Sequence, residues 1–464
     1  MSSPQIVWLR RDLRLADQPA LYAAAHAGPV IPVFVLDDEA ARSHAYGGAS
    51  RWWLHHSLES LAKGLGSRHS QIVLRRGDAV EQLCEIAREC GAGAVHAIRH
   101  YEPWWRQAQG KLDEALPDGC ELCLHDGNYL LPPGAVTTGS GDPYKIYTPF
   151  SKAMLERFPP RDCLPEPETI HSPDKWPKSD SLSDWGLLPS KPDWSGGIAD
   201  FWNVGEQAAH ERLAEWADDV AQYDDERNLP SRDGSSRLSP HLHFGEISPA
   251  QVWHRLSGRR GQGWRTFEKE LIWRDYAQNL ICQFPDYPSK SYRDGYSGLW
   301  RNPNRGHIIQ EELEAWQRGM TGYPIVDAGM RQLWQTGWMH NRVRMIAASF
   351  LVKHLLIDWT FGEQWFWDTL VDADYGNNGV NWQWISGTGV DSNMFVRIMA
   401  PLSQSEKFDA ADYIREYVPE LAEFGDEDIH DPPDHKRGKY PKKIIGHREA
   451  RERALSAYND AKQG

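Results

Sequence analysis

The chain contains no run of about 18 or more apolar residues, so nothing in it reads as a membrane span. Cysteine is scarce: six in 464 residues, at Cys84, Cys90, Cys120, Cys123, Cys163 and Cys282, which suits a reducing cytoplasm rather than a disulfide framework. Cys120-x-x-Cys123 has no second pair and no histidine spacing, and reads as two strand positions, not a metal or redox site. The opening Met1-Ser-Ser-Pro-Gln5 lacks the basic stretch of a secretory leader, so a cytoplasmic location is expected. No G-x-G-x-x-G follows the first strand-like run, which removes the dinucleotide fingerprint. Positive charge is the minority sign, 51 Lys and Arg against 65 Asp and Glu, for a net −14. That argues against nucleic-acid binding through the whole surface and leaves room only for a local basic groove.

What is present is a soluble globular composition, 40% hydrophobic and 25% charged, over a length that implies two or three domains. Residues 1–131 alternate strand-like runs (Ile6-Val-Trp-Leu9, Val30 to Leu36, Ile72-Val-Leu74, Ala94 to Ile98, Glu121 to Leu124) with helical periods. Such alternation predicts an α/β Rossmann-like domain on a parallel sheet. Residues 132–204 are rich in Pro, Ser, Gly and Asp and read as a long interdomain linker. Residues 205–464 carry apolar residues at i, i+3, i+4 and predict an all-helical domain. Tryptophan is abundant, 22 residues, most of them in the C-terminal two thirds. Indoles need a partner for N–H when buried, so the excess points to a large aromatic core or to a stacking or electron-carrying role.

Four segments carry polar chemistry. Gly234-Ser-Ser-Arg-Leu-Ser-Pro240 offers hydroxyls and main-chain N–H groups at a helix start, which suits a diphosphate and equally describes a plain turn with an N-cap. Glu270-Leu-Ile-Trp273-Arg274 places three functional side chains on one turn; its ordinary reading is an i,i+4 ion pair beside a core indole. Trp338-Met-His-Asn-Arg342-Val-Arg344-Met345 puts polar groups at the head of an apolar helix. Asp372-Ala-Asp374-Tyr-Gly-Asn377-Asn378-Gly-Val-Asn381-Trp382-Gln-Trp384 is too polar for ordinary core. A calcium loop is excluded there, because Gly376 falls one place early and no glutamate closes the segment; no metal is expected.

These segments, in this order, resemble the photolyase/cryptochrome flavoproteins. Trp8-Leu-Arg-Arg-Asp-Leu-Arg-Leu15, Gly234 to Gly245, Thr321 to Ala328, Gly337 to Arg342 and Asn377 to Trp384 carry the resemblance, which covers nearly the whole chain. The nearest pattern is that of class I cyclobutane pyrimidine dimer photolyases. The resemblance implies an N-terminal α/β antenna domain, a linker and a helical domain holding FAD. It places FAD on Tyr223, Ser235, Ser236, Arg237, Leu238, Ser239, Glu270 or its neighbours, Arg344, Asp372, Ala373, Asp374 and Asn378, with Asn378 facing flavin N5. Plant-type cryptochromes usually carry Asp there, so Asn378 favours repair.

For the lesion and its DNA the resemblance implies Glu270, Trp273, Asn341, Met345 and Trp384, with Arg227, Arg274, Arg342 and Gln404 around them. Asn341 stands where (6-4) photolyases carry His, and Met345 where single-strand-directed cryptochromes carry Gln. The implied reaction is light-driven electron transfer from reduced FAD to a dimer flipped out of ultraviolet-damaged DNA. Trp382, Trp359 and Trp300 would be the inner, middle and outer members of an electron-transfer chain, with Trp316 the alternative outer member. Glu270, Asn378 and these three tryptophans are the expected catalytic set. A second, antenna chromophore of the deazaflavin or reduced-folate class is also implied, near Arg10, Phe34, Asp37 and Arg51. Trp104-Trp105 replace the Asn-Glu pair of folate-binding relatives. The chain is expected to act as a monomer without an obligate protein partner. The rival reading is a blue-light photoreceptor; the absence of a long tail before Gly464 speaks against it.

Overall fold

The structure, a computed structural model, describes residues 2–392 and 398–463. The chain packs as two compact units. One comprises Met1–Ala221, Ser236–Pro285 and Val371–Asp374; the other comprises Gln222–Ser235, Asp286–Leu370 and Tyr375–Gly464.

The first unit contains a parallel sheet of β1 (Gln5–Leu9), β2 (Val30–Leu36), β3 (Val73–Arg76), β4 (Ala94–Ile98) and β5 (Glu121–His125), in the order β3-β2-β1-β4-β5. Register pairs Ile6 with Ile31 on one side and Val95 on the other. β1, β2 and β4 are buried along their whole length and are written in apolar residues apart from Gln5 and His96, whose side chains hydrogen-bond each other at 3.1 Å. The connecting helices are α1 (Pro19–Ala27), α2 (Gly48–Gly66), α3 (Ala79–Cys90) and α4 (Pro103–Ala115). The Asp78 side chain caps α3 by accepting from the Glu81 N–H, and Gly91 ends it at φ 63°, a left-handed turn that glycine adopts without strain. The Rossmann-like expectation is met.

Residues 132–204, expected as an interdomain linker, fall within the first compact unit. This stretch contains α5 (Tyr147–Leu155) and bonds along the first unit. Val30 N donates to the His171 carbonyl and Asp180 N to the Leu74 carbonyl, each at 2.8 Å. Arg161 grips the buried Asp17 carboxylate with both Nη atoms. Proline lacks a backbone N–H, yet a proline-rich stretch retains carbonyls and neighbouring N–H groups that the residues beside it can use. The expected boundaries 1–131, 132–204 and 205–464 therefore differ from the compact units. Residues 236–285, with the helices Ser239–Phe244 and Gln262–Gln283, join the sheet unit. Gly245 shows why this joint demands glycine. Its φ is 67°, and a Cβ there would lie 2.2 Å from the Arg11 carbonyl oxygen.

Among its described residues the second unit is built from helices, including Pro324–Thr336, Asn341–Ser349, Trp359–Thr369, Tyr375–Ser386 and His447–Gln463. The helical expectation for the C-terminal part is met. Trp316 and Trp359 are among its fully buried side chains.

Candidate active site

In the first unit, the helix Gln262–Gln283 carries Glu270 and Trp273 at i,i+3, both half-buried. Tyr147, the first residue of α5, stacks on Trp273 with ring centroids 3.5 Å apart and planes 3° apart. The Tyr147 hydroxyl donates to the Lys269 carbonyl at 3.1 Å. Burial, and then the neighbouring Glu270 charge, push its phenol above the ordinary value. One face of Trp273 is thus covered by Tyr147, and Tyr276 packs edge-on against the same indole. Arg274 departs from the expected substrate role. Its guanidinium donates to the carbonyls of Asn128 and Leu242 and lies 4.7 Å over the Tyr129 ring, so it ties backbone together.

Asp374 is set in a buried network of the same unit. Arg11 Nη1 lies 3.3 Å from Oδ2, Gln278 Nε2 donates to Oδ1 at 3.1 Å, and His243 Nδ1 is 3.6 Å from Oδ2. Burial opposes its ionisation, but the His243 hydrogen bond and the Arg11 charge outweigh it and hold the carboxyl far below the usual range. Ala373 is buried beside it, and the half-buried Asp372 accepts a 2.6 Å hydrogen bond from Ser239 Oγ. In the loop before, Arg237 has φ 52° with its cation 4.7 Å over Phe201, Arg212 Nε donates to the Ser236 carbonyl, and Leu238 is fully buried.

The second unit contributes Tyr223, Ser235, Arg344 and Asn378. Asn378 Nδ2 donates to the main-chain oxygen of Glu363 at 3.0 Å and to its Oε1 at 2.9 Å. A carbonyl can only accept, so the amide orientation is defined by this pair. Both N–H groups are engaged, and what Asn378 offers a further group is its carbonyl oxygen. Arg344 Nε donates to the Met339 carbonyl at 2.7 Å.

On the helix Tyr375–Ser386, Trp382 and Trp384 lie two residues apart and so on opposite faces: Trp382 is 3% exposed and Trp384 44%. Trp382 packs edge-on against Phe366 (5.0 Å) and Trp316 (6.3 Å). Gly362 makes room for it, since a Cβ at that position would fall 2.2 Å from Trp382 Cη2. Trp359, three residues before Gly362, donates its indole N–H to Ser291 Oγ at 3.0 Å. Trp316 is fully buried and donates to the Ala347 carbonyl. Trp300 is half-buried, and its neighbour Arg301 pairs with Ile357, two residues before Trp359.

Cations converge nearby in sequence and space. The His340 imidazole is held down at about 4 by burial and then by Arg342, Arg344 and Arg227. Arg342 contacts Asn228 Oδ1 through Nε at 3.2 Å and packs 4.7 Å over Phe408, while Arg227 lies 5.2 Å over Tyr223. Asn341 is exposed, and Met345 and Gln404 are half-buried.

Tyr147, Glu363, Gly362 and Arg11 belong to these arrangements and were not among the expected residues. The antenna residues are committed to protein contacts: Phe34 is buried against Trp185, Asp37 accepts from the N–H groups of Ala40 and Ala79, and Arg51 pairs with Asp38. Arg10 stacks 4.0 Å over Trp8, and Trp105 is part of the sheet core. A separate cavity of 720 Å³ in this unit is lined by Arg99, Tyr101, Arg106, Gln109, Cys282 and Gln283 among others.

Residues 5–169 match the DNA photolyase family and residues 267–460 the FAD binding domain of DNA photolyase. The chain is 44% identical to a deoxyribodipyrimidine photo-lyase of Agrobacterium fabrum, covering 100% of this chain and 99% of that protein. It is 36% identical to the enzyme of that name from Escherichia coli, covering 99% of each. The structure of a bacterial class III photolyase from Agrobacterium tumefaciens, 44% identical, superposes with a TM-score of 0.93 over 100% of this chain and 98% of that one. An archaeal photolyase from Sulfolobus tokodaii, described with two FAD molecules, is 28% identical with a TM-score of 0.82 over 98% of this chain and 100% of that one. The chain therefore belongs to the photolyase/cryptochrome family of enzymes, with FAD as cofactor. The donor set fits that cofactor: hydroxyls and main-chain N–H groups at 235–239 suit the diphosphate, and a buried amide with its donors engaged suits a flavin nitrogen.

Proposed function

We propose that the chain repairs cyclobutane pyrimidine dimers in ultraviolet-damaged DNA. Bound and reduced, FAD supplies the light-absorbing one-electron donor. The observation that carries the reading is the Asn378–Glu363 pair. With both amide hydrogens on Glu363, Asn378 presents an acceptor suited to a protonated flavin nitrogen and adds no charge of its own. Around the cofactor, Ser235 to Ser239, Tyr223, Arg344 and Asp372 to Asp374 are the binding residues.

Trp273, backed by Tyr147, and the exposed Trp384 supply flat apolar surfaces for bases extruded from the duplex. Glu270 and Asn341 hydrogen-bond the pyrimidine edges, and Met345 fills against them. Arg227 and Arg342 take flanking phosphates, with Gln404 at the rim. Trp382, Trp359 and Trp300 return electrons to oxidised cofactor. Trp316 is less suited to the outer place, because it is fully buried and touches Trp382 directly. The solved structure at 44% identity is called a class III photolyase rather than the class I enzyme the motifs suggested, and the dimer-repair reading rests on the relatives named deoxyribodipyrimidine photo-lyase. An antenna chromophore is better accommodated by the 720 Å³ cavity, whose size suits a small heterocycle, than by Phe34 and Arg51.

The second reading, a photoreceptor, draws on 32% identity to Cryptochrome-1 of Arabidopsis thaliana, matching 64% of that protein. Transformation by ultraviolet-treated plasmid, incubated with the protein in light and in darkness, decides between them. Light-dependent recovery is expected. No recovery from fully flavin-loaded protein in light would remove the repair reading and favour the photoreceptor.

A further inference from the structure

We propose that His55, His56 and Glu59 on α2 form a binding site for a divalent d-block ion of the zinc type. Successive helical residues are about 100° apart, so Glu59 falls about 40° from His55 and about 60° from His56, between them and one turn on. Helical side chains lean towards the N-terminus, which brings the Glu59 carboxylate back over both rings. Its two oxygens lie 3.5 Å from His55 Nε2 and 3.1 Å from His56 Nδ1. One ligand atom from each residue lies within 4.8 Å of the others.

The two histidine–glutamate separations, one to each Glu59 oxygen, are close to a coordination edge, and a set of one atom per residue needs only a small contraction to reach it. With metal–ligand bonds of about 2.0–2.1 Å, tetrahedral ligand atoms stand about 3.3–3.4 Å apart. Two imidazoles and one carboxylate are ligands that suit zinc and its neighbours, whereas magnesium and calcium favour all-oxygen sets. The rings are also constrained before any ion arrives. Both histidines are half-buried, and the His56 ring lies 4.6 Å from that of Trp52. Three protein ligands leave a fourth position for water. None of the three residues belongs to the flavin or DNA sets, so the ion would brace α2, whose Trp53 indole donates to the buried Glu246.

The ordinary alternative is that Glu59 merely pairs with protonated imidazoles. Calorimetric titration of chelator-treated, FAD-loaded full-length protein with zinc chloride separates the two. One saturable site of micromolar order is expected, with a Tm that rises with zinc concentration. His55→Ala and His56→Gln should each weaken binding about tenfold or more, and magnesium should show no heat of binding. Cobalt(II) should give weak visible bands without the thiolate charge-transfer absorption that cysteine ligation would produce. Absence of saturable zinc binding, unchanged affinity in both His55→Ala and His56→Gln, or a thiolate-type cobalt spectrum would each overturn the site. If His55→Ala does not fold, Glu59→Gln serves in its place, with the same loss expected.

Discussion

Tyr147 and Trp273 lie flat against one another, 3.5 Å between ring centres, although one begins α5 and the other sits in mid-helix on Gln262–Gln283. The tyrosine fixes the plane of the indole, and the proposed role of Trp273 needs that plane. One base–aromatic stack is worth about 1–3 kcal/mol. Trp273→Ala should therefore weaken binding of a dimer-containing oligonucleotide roughly tenfold or more, by fluorescence anisotropy against undamaged DNA. Tyr147→Leu should lose less, and Tyr147→Phe almost nothing. An equal loss in Tyr147→Phe would assign the effect to the hydroxyl bond with Lys269.

Asn378→Asp would place a carboxyl within hydrogen-bond distance of the buried Glu363. Two such groups cannot both be ionised without large cost, so one proton is shared. Thermal stability should fall by about 1–3 kcal/mol, the loss expected for a buried group left without its proper partner. Glu363→Gln in the same chain should restore a large part of it. Additive losses in the double variant would mean that the pair does not act as a unit.

Light-driven reduction of oxidised FAD should be abolished by Trp382→Phe, while repair by enzyme reduced beforehand with dithionite persists. Trp316→Phe, by contrast, should leave photoreduction largely intact. Gly362→Ala tests the seat of the same indole. A methyl 2.2 Å from Cη2 must displace the ring, with a loss of about 1–3 kcal/mol typical of overpacking. Trp382→Phe should relieve that loss, and failure to do so would show that Gly362 is required for another reason.

Binding to damaged DNA should weaken as salt rises, despite the overall −14 charge, because the proposed phosphate contacts are confined to Arg227 and Arg342. Arg342→Ala should reduce the log–log salt slope by about 1. A slope identical to wild type would remove Arg342 from the phosphates.

Asp275 gives the fold a pH signature. Burial pushes its carboxyl up to about 7, against the lowering effects of Arg274 and of backbone N–H groups. A carboxyl raised above its unfolded value contributes stability that is complete below about pH 4 and is lost as pH rises through about 7. Asp275→Asn keeps an oxygen for the Leu131 N–H and carries no charge. The variant should gain in Tm relative to wild type between pH 5 and pH 8. A constant difference across that range would place the Asp275 titration elsewhere.

The sheet was legible because strands buried on both faces are written as continuous apolar runs, as in Val30 to Leu36. The helical half was legible from its period, whereas Asn378, Trp382 and Glu270 are expected from the resemblance of whole motifs. Residues that act through distant packing left no local trace. Tyr147 sits in a stretch rich in Pro, Gly and Ser, where nothing near it in sequence announces a stacked partner. Arg274 was read from its helical neighbours as a partner for Glu270 or DNA. Its actual acceptors, the carbonyls of Asn128 and Leu242, are backbone atoms with no residue signature. In sequence Glu363 is one more acid on the helix Trp359–Thr369, and its contact with Asn378 appears only in the packing.

The missing side chain at Gly362 also bears on speed. An indole wedged onto bare backbone, with Phe366 and Trp316 at its edges, has little freedom to tilt or slide in a close-packed interior. Electron hops fall off steeply with separation and are slowed whenever the donor must rearrange after losing its charge. In the proposed relay, a ring clamped this way would keep its separation constant and rearrange little, so the rate of the hop through Trp382 would be set by architecture rather than by thermal luck. A residue with no side-chain atoms would thereby act as the clock of the electron relay.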